Sequence, residues 1–404
     1  MNDANPRPDP PTPPEDGYST RAVWGGEEGP GHEGTTVPPV FFGVTHAYDD
    51  LETWRAVSLG EQPGHVYARN TNPTVAIFEE KVRVLEGAPA ATSFATGMAA
   101  VSNTLFTLLS PGDRVVSIRD TYGGTSRIFT EFLPRFDIEV DLCETGDHDA
   151  IESAVGRGCR VLYLETPTNP TLKVLDIERL NAAARSVGAT VVVDNTFATP
   201  INQNPLALGA DLVLHSATKF LGGHSDAMGG VICGAEELVR RIFQFREING
   251  ASLDPMSAFL LTRGMRTLEL RVDRQNRTAL RLARFLEDHP GVASVHYPGL
   301  PGHPNHDVAR RQMRGFGGVL SFVLEGGSEV LAPFLGSLRL AHRAASLGSV
   351  ATLVGPPATT SHVELTARER AAAGIPETLV RYSVGIENAH DLEADLGQAL
   401  ARIA

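Results

Sequence analysis

The sequence predicts an α/β fold, a mainly parallel sheet of seven strands covered by helices on both faces and followed by a smaller C-terminal α+β region. Three observations carry this reading. Short apolar runs recur at residues 91–95, 114–118, 137–142, 160–164, 190–194, 211–215 and 229–233. Amphipathic stretches of helical period separate most of them. Polar candidates collect just after the runs, where a parallel sheet gathers its ligands at the carboxyl ends of its strands.

Taken in order, residues 1–16 hold six prolines and no apolar core of a signal peptide, and are expected to be disordered. Residues 17–68 are rich in glycine and aromatics with little periodicity, as expected of an arm that contacts a neighbouring subunit. A helix is signalled from Asn72, a capping residue, through Pro73 at the first helical position to Gly87, with Ile77, Phe78, Val82 and Leu85 on its apolar face. The seven runs fall in residues 69–255, the expected large domain. A long helical stretch over 256–288 leads into the expected small domain, residues 256–404. There strands are predicted near 292–296 and 317–324, a helix over 328–338 and a terminal helix from Asp391.

Composition narrows the function. A chain of 404 residues can bury large cores without disulfide or metal staples. The net charge of −13 and the lack of a basic stripe argue against nucleic acid as a partner. No apolar run approaches a membrane span. Cys143, Cys159 and Cys233 are odd in number and lack metal-ligand spacing, so they read as buried thiols of a cytoplasmic protein, and no metal is expected. His303-Pro-Asn-His306 reads as a solvated loop. Gly29-Pro-Gly31-His-Glu-Gly34 matches a dinucleotide fingerprint by letters but has no strand before it and no helix after it. Ser216-Ala-Thr-Lys219 matches the SxxK of penicillin-recognising enzymes, yet no Lys-Thr-Gly accompanies it.

Lysine is nearly absent. Lys81, Lys173 and Lys219 stand against thirty-two arginines, and only Lys219 sits where chemistry is expected, at the end of an apolar strand before a glycine turn. Arginine keeps its proton in a protein, whereas a desolvated lysine can become a neutral amine and form an imine. Lys219 therefore reads as a Schiff-base nucleophile. Its surroundings match the needs of a pyridoxal phosphate site. Asp194 ends the buried strand Val191-Val-Val, where a carboxylate calls for a cationic partner such as a protonated pyridine nitrogen. Thr96-Gly97-Met98 opens a helix directly after a strand, so its free N–H groups can hold a phosphate, joined by the hydroxyls of Ser216 and Thr218. Tyr122 offers a ring to stack on a pyridine and a phenol to move protons.

The strings Tyr67-Ala-Arg69-Asn-Thr-Asn-Pro-Thr74, Tyr122-Gly-Gly, Glu165-Thr-Pro-Thr-Asn169-Pro, Val193-Asp194-Asn-Thr, Ser216-Ala-Thr-Lys219 and Gly223-His-Ser-Asp226 resemble the Cys/Met-metabolism family of pyridoxal phosphate enzymes, from about Val37 to the C-terminus. The resemblance implies a fold of the aspartate aminotransferase type and homotetramers built from dimers that share active sites. It implies that Lys219 carries the cofactor and shuttles protons, Asp194 pairs with the ring nitrogen, and Tyr122 stacks on the ring. Gly97, Met98, Ser216 and Thr218 would bind the phosphate, with Tyr67 and Arg69 arriving from the neighbouring subunit. Asn169 would sit beside the ring hydroxyl, supported by Glu165. Arg381 would clamp the substrate carboxylate, with Ser346 in the same pocket and Tyr67 reaching the substrate as well.

The implied chemistry is γ-elimination on a sulfur amino acid. Cystathionine-handling members usually carry a glutamate before the Ser-Leu-Gly segment and a glycine after it. Here Ala345 and Ser349 stand there, which favours a short apolar substrate, methionine, over cystathionine, with O-acylhomoserine sulfhydrylase activity last. Typical methionine lyases carry a cysteine where this chain has Gly124. An inactive homologue serving as a binding scaffold is the alternative of another class, and Lys219, Asp194, Tyr122 and Arg381 together argue against it.

Overall fold

The seven apolar runs form strands β1 (Ala90–Phe94), β2 (Arg114–Ile118), β3 (Glu139–Cys143), β4 (Val161–Glu165), β5 (Thr190–Asp194), β6 (Leu212–Ser216) and β7 (Gly230–Gly234) in a computed structural model that describes residues 17–27, 35–363, 366–372 and 374–403. The proline-rich residues 1–16 and the Gly29–Gly34 string lie outside the described residues. The strands make one sheet in the order β1-β7-β6-β5-β4-β2-β3. Five of them, from β6 through β3, run parallel, while β7 is antiparallel to both β6 and β1. Burial of β4 at every position fits a sheet covered on both faces. The chain steps outward from β2 to β3 and returns past β2 to β4, so strand order reverses between β2 and β4 and a crevice opens at their carboxyl ends.

Helices α1 (Tyr18–Trp24) and α2 (Leu51–Ser58) lie within the expected arm, each too short to show a helical period in the sequence. They differ in their contacts. The Lys81 ammonium donates to the carbonyls of Ala22 and Val23, which fastens α1 to α3 (Pro73–Glu86) of the same chain, whereas α2 has no buried residue. Helix α3 has the termini its sequence signals. Asn72 Oδ1 accepts from the Thr74 and Val75 N–H groups, and Gly87 closes the helix with φ of 66°. Helix α4 (Gly97–Leu108) follows β1 through the cap Thr96, whose hydroxyl accepts from Ala99 N–H at 3.0 Å.

The helical stretch expected over 256–288 is two helices, Pro255–Met265 and Leu268–Glu287. The Arg271 guanidinium explains the break, because it binds the Gly264, Phe220 and Leu221 carbonyls and so fixes a turn between the two. A second sheet follows, made of β8 (Val292–His296), β9 (Val319–Leu324), β10 (His342–Arg343), β11 (Leu353–Gly355) and β12 (Leu379–Ser383) in the order β10-β11-β12-β9-β8. Leu282, Leu286, Phe322, Phe334, Tyr382 and Leu396 build its core with the helices Leu268–Glu287 and Ala389–Leu400. Ser321 on β9 donates to the Pro170 carbonyl at 2.7 Å, which holds this sheet against the loop after β4. No helix among the described residues is long and apolar enough to cross a membrane.

Candidate active site

Side chains alternate between the faces of a strand, so neighbouring parallel strands in register present their last residues side by side. Glu165 of β4 pairs in register with Asp194 of β5, and Ser216 ends the adjacent β6. The three line one cavity of about 370 Å³, together with every other residue of this chain proposed from the sequence except two: Gly97, Met98, Tyr122, Asn169, Thr218, Lys219, Ala345, Ser346 and Arg381. Tyr67 and Arg69 are the exceptions. Tyr67 is exposed, and the Arg69 guanidinium lies 5.7 Å from its ring and donates to the Glu247 carbonyl, outside this cavity.

The acid pair is the electrostatic centre. Burial pushes both carboxyls upward, and the Asp194 charge raises Glu165 further. Asp194 Oδ1 accepts from Thr196 N–H at 3.0 Å and from the Thr196 hydroxyl at 2.5 Å, while the Tyr163 hydroxyl stands 3.5 Å from Oδ2. Those donors favour the charge on Asp194, and Glu165 is the member that holds a proton. Glu165 Oε2 accepts from Tyr122 N–H at 2.8 Å, which ties the end of β4 to the turn after β2 across the crevice.

Helix α4 brings its N-terminus to the same cavity, where Gly97 and Met98 line the wall. Its first N–H groups, those of Gly97 and Met98, have no acceptor within the helix. A Cβ on Gly97 would stand 2.7 Å from the Ser216 side chain, so glycine is what lets β6 come this close to the helix end. Thr218 Oγ1 is within hydrogen-bonding distance of Gly229 N and O, at 3.1 and 3.2 Å, and borders the same recess.

Lys219 Nζ donates to Ser346 Oγ at 2.8 Å. Burial, and secondarily the Arg381 charge, pulls this amine down to about 8. Arg381 sits on β12 and crosses from the second sheet, donating to Asn169 Oδ1 at 3.0 Å and to the Ser346 carbonyl at 2.9 Å. Burial lowers the guanidinium to about 10, which leaves it charged at neutral pH. Ser346 itself has φ of 82°, a left-handed backbone that side chains other than glycine's rarely adopt.

A second cavity of about 1200 Å³ adjoins the first, sharing Thr218, Met228, Ala345 and Ser346 and adding Asp226, Asp254, His342 and Arg343. Residues not singled out in the sequence also border the inner cavity or its acid pair, Thr196 and Tyr163 foremost. Each had a local signal: Thr196 stands two after Asp194, as in a turn that folds a hydroxyl back on a carboxylate, and Tyr163 stands two before Glu165 in an apolar run.

Taken together, the cavity offers an anion recess at a helix N-terminus, an acid pair that carries one negative charge, and a buried amine lowered to about 8. Pyridoxal phosphate has the complementary groups: a phosphate, a basic ring nitrogen and an aldehyde. The residues present fit it.

Comparison with known proteins gives the same answer. The family model described as Cys/Met metabolism PLP-dependent enzyme matches residues 19–401. The chain is 43% identical to an L-methionine gamma-lyase of Pseudomonas putida over 386 residues, 95% of this chain and 97% of that one. It is 40% identical to a cystathionine gamma-lyase of Bacillus subtilis over 385 residues, 95% and 99% of the two chains. The crystal structure of metB from Corynebacterium glutamicum superposes with a TM-score of 0.91 at 37% identity, covering 97% of this chain and 100% of that one. With a match that spans both sheets and the whole of the cavity, the chain belongs to the Cys/Met-metabolism family of enzymes that use pyridoxal phosphate as their cofactor.

Proposed function

We propose that this enzyme catalyses γ-elimination on a sulfur amino acid, with L-methionine preferred and methanethiol, 2-oxobutanoate and ammonia as products. The observation that carries the preference is the wall beside Ser346. Among the described residues of the inner cavity, the only carboxyls are Glu165 and Asp194, both engaged at strand ends, and Ala345 leaves no partner for a second ammonium group. Relatives named L-methionine gamma-lyase, at 42% and 43% identity, support the reading.

Bound pyridoxal phosphate supplies an electrophilic carbon and a conjugated ring that accepts electron density released at the substrate's Cα and Cβ. Gly97 and Met98 N–H groups and the Ser216 and Thr218 hydroxyls would hold its phosphate, Asp194 its ring nitrogen, and Asn169 with Glu165 the ring edge. Tyr67 and Arg69 of a second copy would complete the phosphate site, a role that suits the exposed Phe42, Trp54 and Tyr67 on the arm. Lys219, lowered to about 8, has a neutral amine in reach near physiological pH and moves protons at Nζ. Arg381, held by Asn169 and Ser346, keeps two donors for the substrate carboxylate. The Tyr122 hydroxyl delivers a proton to the departing sulfur, and water balances the release of ammonia.

The adjoining outer cavity favours a second reading. Its Asp226, Asp254 and Arg343 could meet the distal ammonium and carboxylate of cystathionine. Cofactor-loaded protein given L-methionine, L-cystathionine, or O-acylhomoserine plus cysteine decides between them. Fast formation of 2-oxobutanoate and methanethiol from methionine is the expected result. Turnover or synthesis of cystathionine with methionine untouched would replace the first reading by the second.

A further inference from the structure

Glu86 ends α3 with its side chain wholly buried, a costly place for a carboxylate because burial and the negative end of the helix dipole both oppose its charge. It is nevertheless fully engaged. Oε1 accepts from Asn195 Nδ2 at 2.9 Å and lies 2.6 Å from His215 Nε2, and Oε2 accepts from Asn204 Nδ2 at 3.1 Å. The network continues through Gln203, whose amide donates to Asn195 Oδ1 at 3.0 Å and to the Thr166 carbonyl at 3.2 Å.

The sequence positions of these partners matter more than their number. Thr166 follows Glu165, Asn195 follows Asp194, and His215 precedes Ser216. Because strand side chains alternate faces, the His215 and Asn195 side chains turn away from the cavity that their neighbours line, while Thr166 takes part through its backbone carbonyl, and none of the three is in that lining. Three adjacent strand ends that present the acid pair and the Ser216 hydroxyl to the cofactor are thus fastened to one another from the opposite side. On the cavity face the same strand ends are joined through Thr196. Ser216 N–H donates to Thr196 Oγ1 at 2.9 Å, and Thr196 Oγ1 donates onward to Asp194, so a shift of either strand end would be passed to the carboxylate that meets the ring nitrogen.

We propose that Glu86, with His215, Asn195 and Gln203, is a positioning unit for the pyridoxal phosphate site: it touches neither cofactor nor substrate and acts by holding the ends of β4, β5 and β6 in the arrangement that Glu165, Asp194 and Ser216 need. Side-chain placement within about half an ångström decides how well such groups hold a ligand, and losing the outer partners of a metal ligand lowers affinity ~10-fold or more, the scale expected here.

The test is Glu86→Gln, which keeps the shape of the side chain and removes its charge. The dissociation constant of pyridoxal phosphate for the apoprotein should rise roughly 10-fold, and the induced circular dichroism of the bound cofactor should change as the ring reorients. A merely structural role would lower the melting temperatures of apoprotein and holoprotein together and leave both readouts where they were, and that result overturns the proposal. If Glu86→Gln does not fold, His215→Phe and Gln203→Leu, each deleting one arm of the network, are read in the same way: weaker binding with altered dichroism supports the unit, and unchanged values in a folded variant overturn it. Neither readout depends on which amino acid the enzyme consumes.

Discussion

Lys219 Nζ reaches Ser346 Oγ at 2.8 Å across 127 positions of sequence, and Ser346 makes that contact from a backbone with φ of 82°. A left-handed serine costs on the order of 1–2 kcal/mol, so something must hold it there. The Arg381 guanidinium does so from one side by binding the Ser346 carbonyl, and Ser383 Oγ does so from the other by accepting from Gly348 N–H at 2.9 Å. One segment therefore joins the Lys219 amine, proposed to meet the cofactor, to the Arg381 guanidinium, proposed to meet the substrate.

Two substitutions at Ser346 separate the hydroxyl from the backbone. Ser346→Ala removes Oγ and keeps the strain, whereas Ser346→Gly removes Oγ and relieves it. Both should lower kcat/KM about 10-fold through loss of one hydrogen bond to a charged group, and Ser346→Gly should be the more stable of the two by ~1 kcal/mol. Steady-state kinetics and thermal melting check this. Wild-type kcat/KM in either variant would take the hydroxyl out of the site.

The lowered Lys219 amine predicts a pH dependence with a definite sign. Only the neutral amine attacks an aldehyde, and its fraction grows as pH rises through the folded value of about 8. Capture of pyridoxal phosphate by the apoprotein, followed by absorbance, should accelerate with pH, with its midpoint near that value and a plateau above it. A rate still climbing at the ~10.4 of an unburied lysine would contradict the burial argument. Borohydride reduction of the captured complex should mark the peptide that contains Lys219.

The sheet and the inner surface of the cavity were legible in the sequence because both rest on local signals. Strand β2 lies over the same residues as its apolar run, and α3 begins and ends where Asn72 and Gly87 mark it. Strand ends also announced themselves, since Asp194 and Lys219 are polar groups closing apolar runs. What escaped was non-local. Glu86, Asn195, Gln203 and His215 carry no local signal of a shared role, and only the fold brings residues 109 and 129 positions apart onto one carboxylate. Strands β10 and β11 were missed for a different reason: two and three residues are too few to show an alternation.

Lys81 predicts an effect on stability. Its ammonium is fully buried, donates to the Ala22 and Val23 carbonyls at 2.8 and 3.0 Å, and pairs with Glu27 at 2.9 Å. Burial lowers its pKa, and among the described residues these partners compensate the charge. Lys81→Met would leave two carbonyls without their donor and Glu27 with Arg266 alone, at a cost of ~3 kcal/mol. The loss should appear as early proteolytic cleavage between residues 17 and 27 and a lower melting temperature. A variant as resistant as the wild type would mean that α1 is held by apolar packing instead.

Ala345 is the position from which substrate preference is most directly tested. It stands exposed between the inner cavity and the outer one, bordering both, so a carboxylate introduced there keeps its hydration and its charge. Methionine has no group to pair with it, while cystathionine carries a second ammonium beyond the sulfur. Ala345→Glu should therefore raise the ratio of kcat/KM for cystathionine to that for methionine by roughly 10-fold, the worth of one charge-assisted hydrogen bond at a partly solvated site. Most of the change should lie in KM for cystathionine, because the new contact forms with the distal end of the substrate and is the same before and during the elimination. If the ratio stays fixed, the wall beside Ser346 does not read the substrate's far end, and the selectivity has to reside in the outer cavity, where Asp226 and Arg343 are the residues to change next.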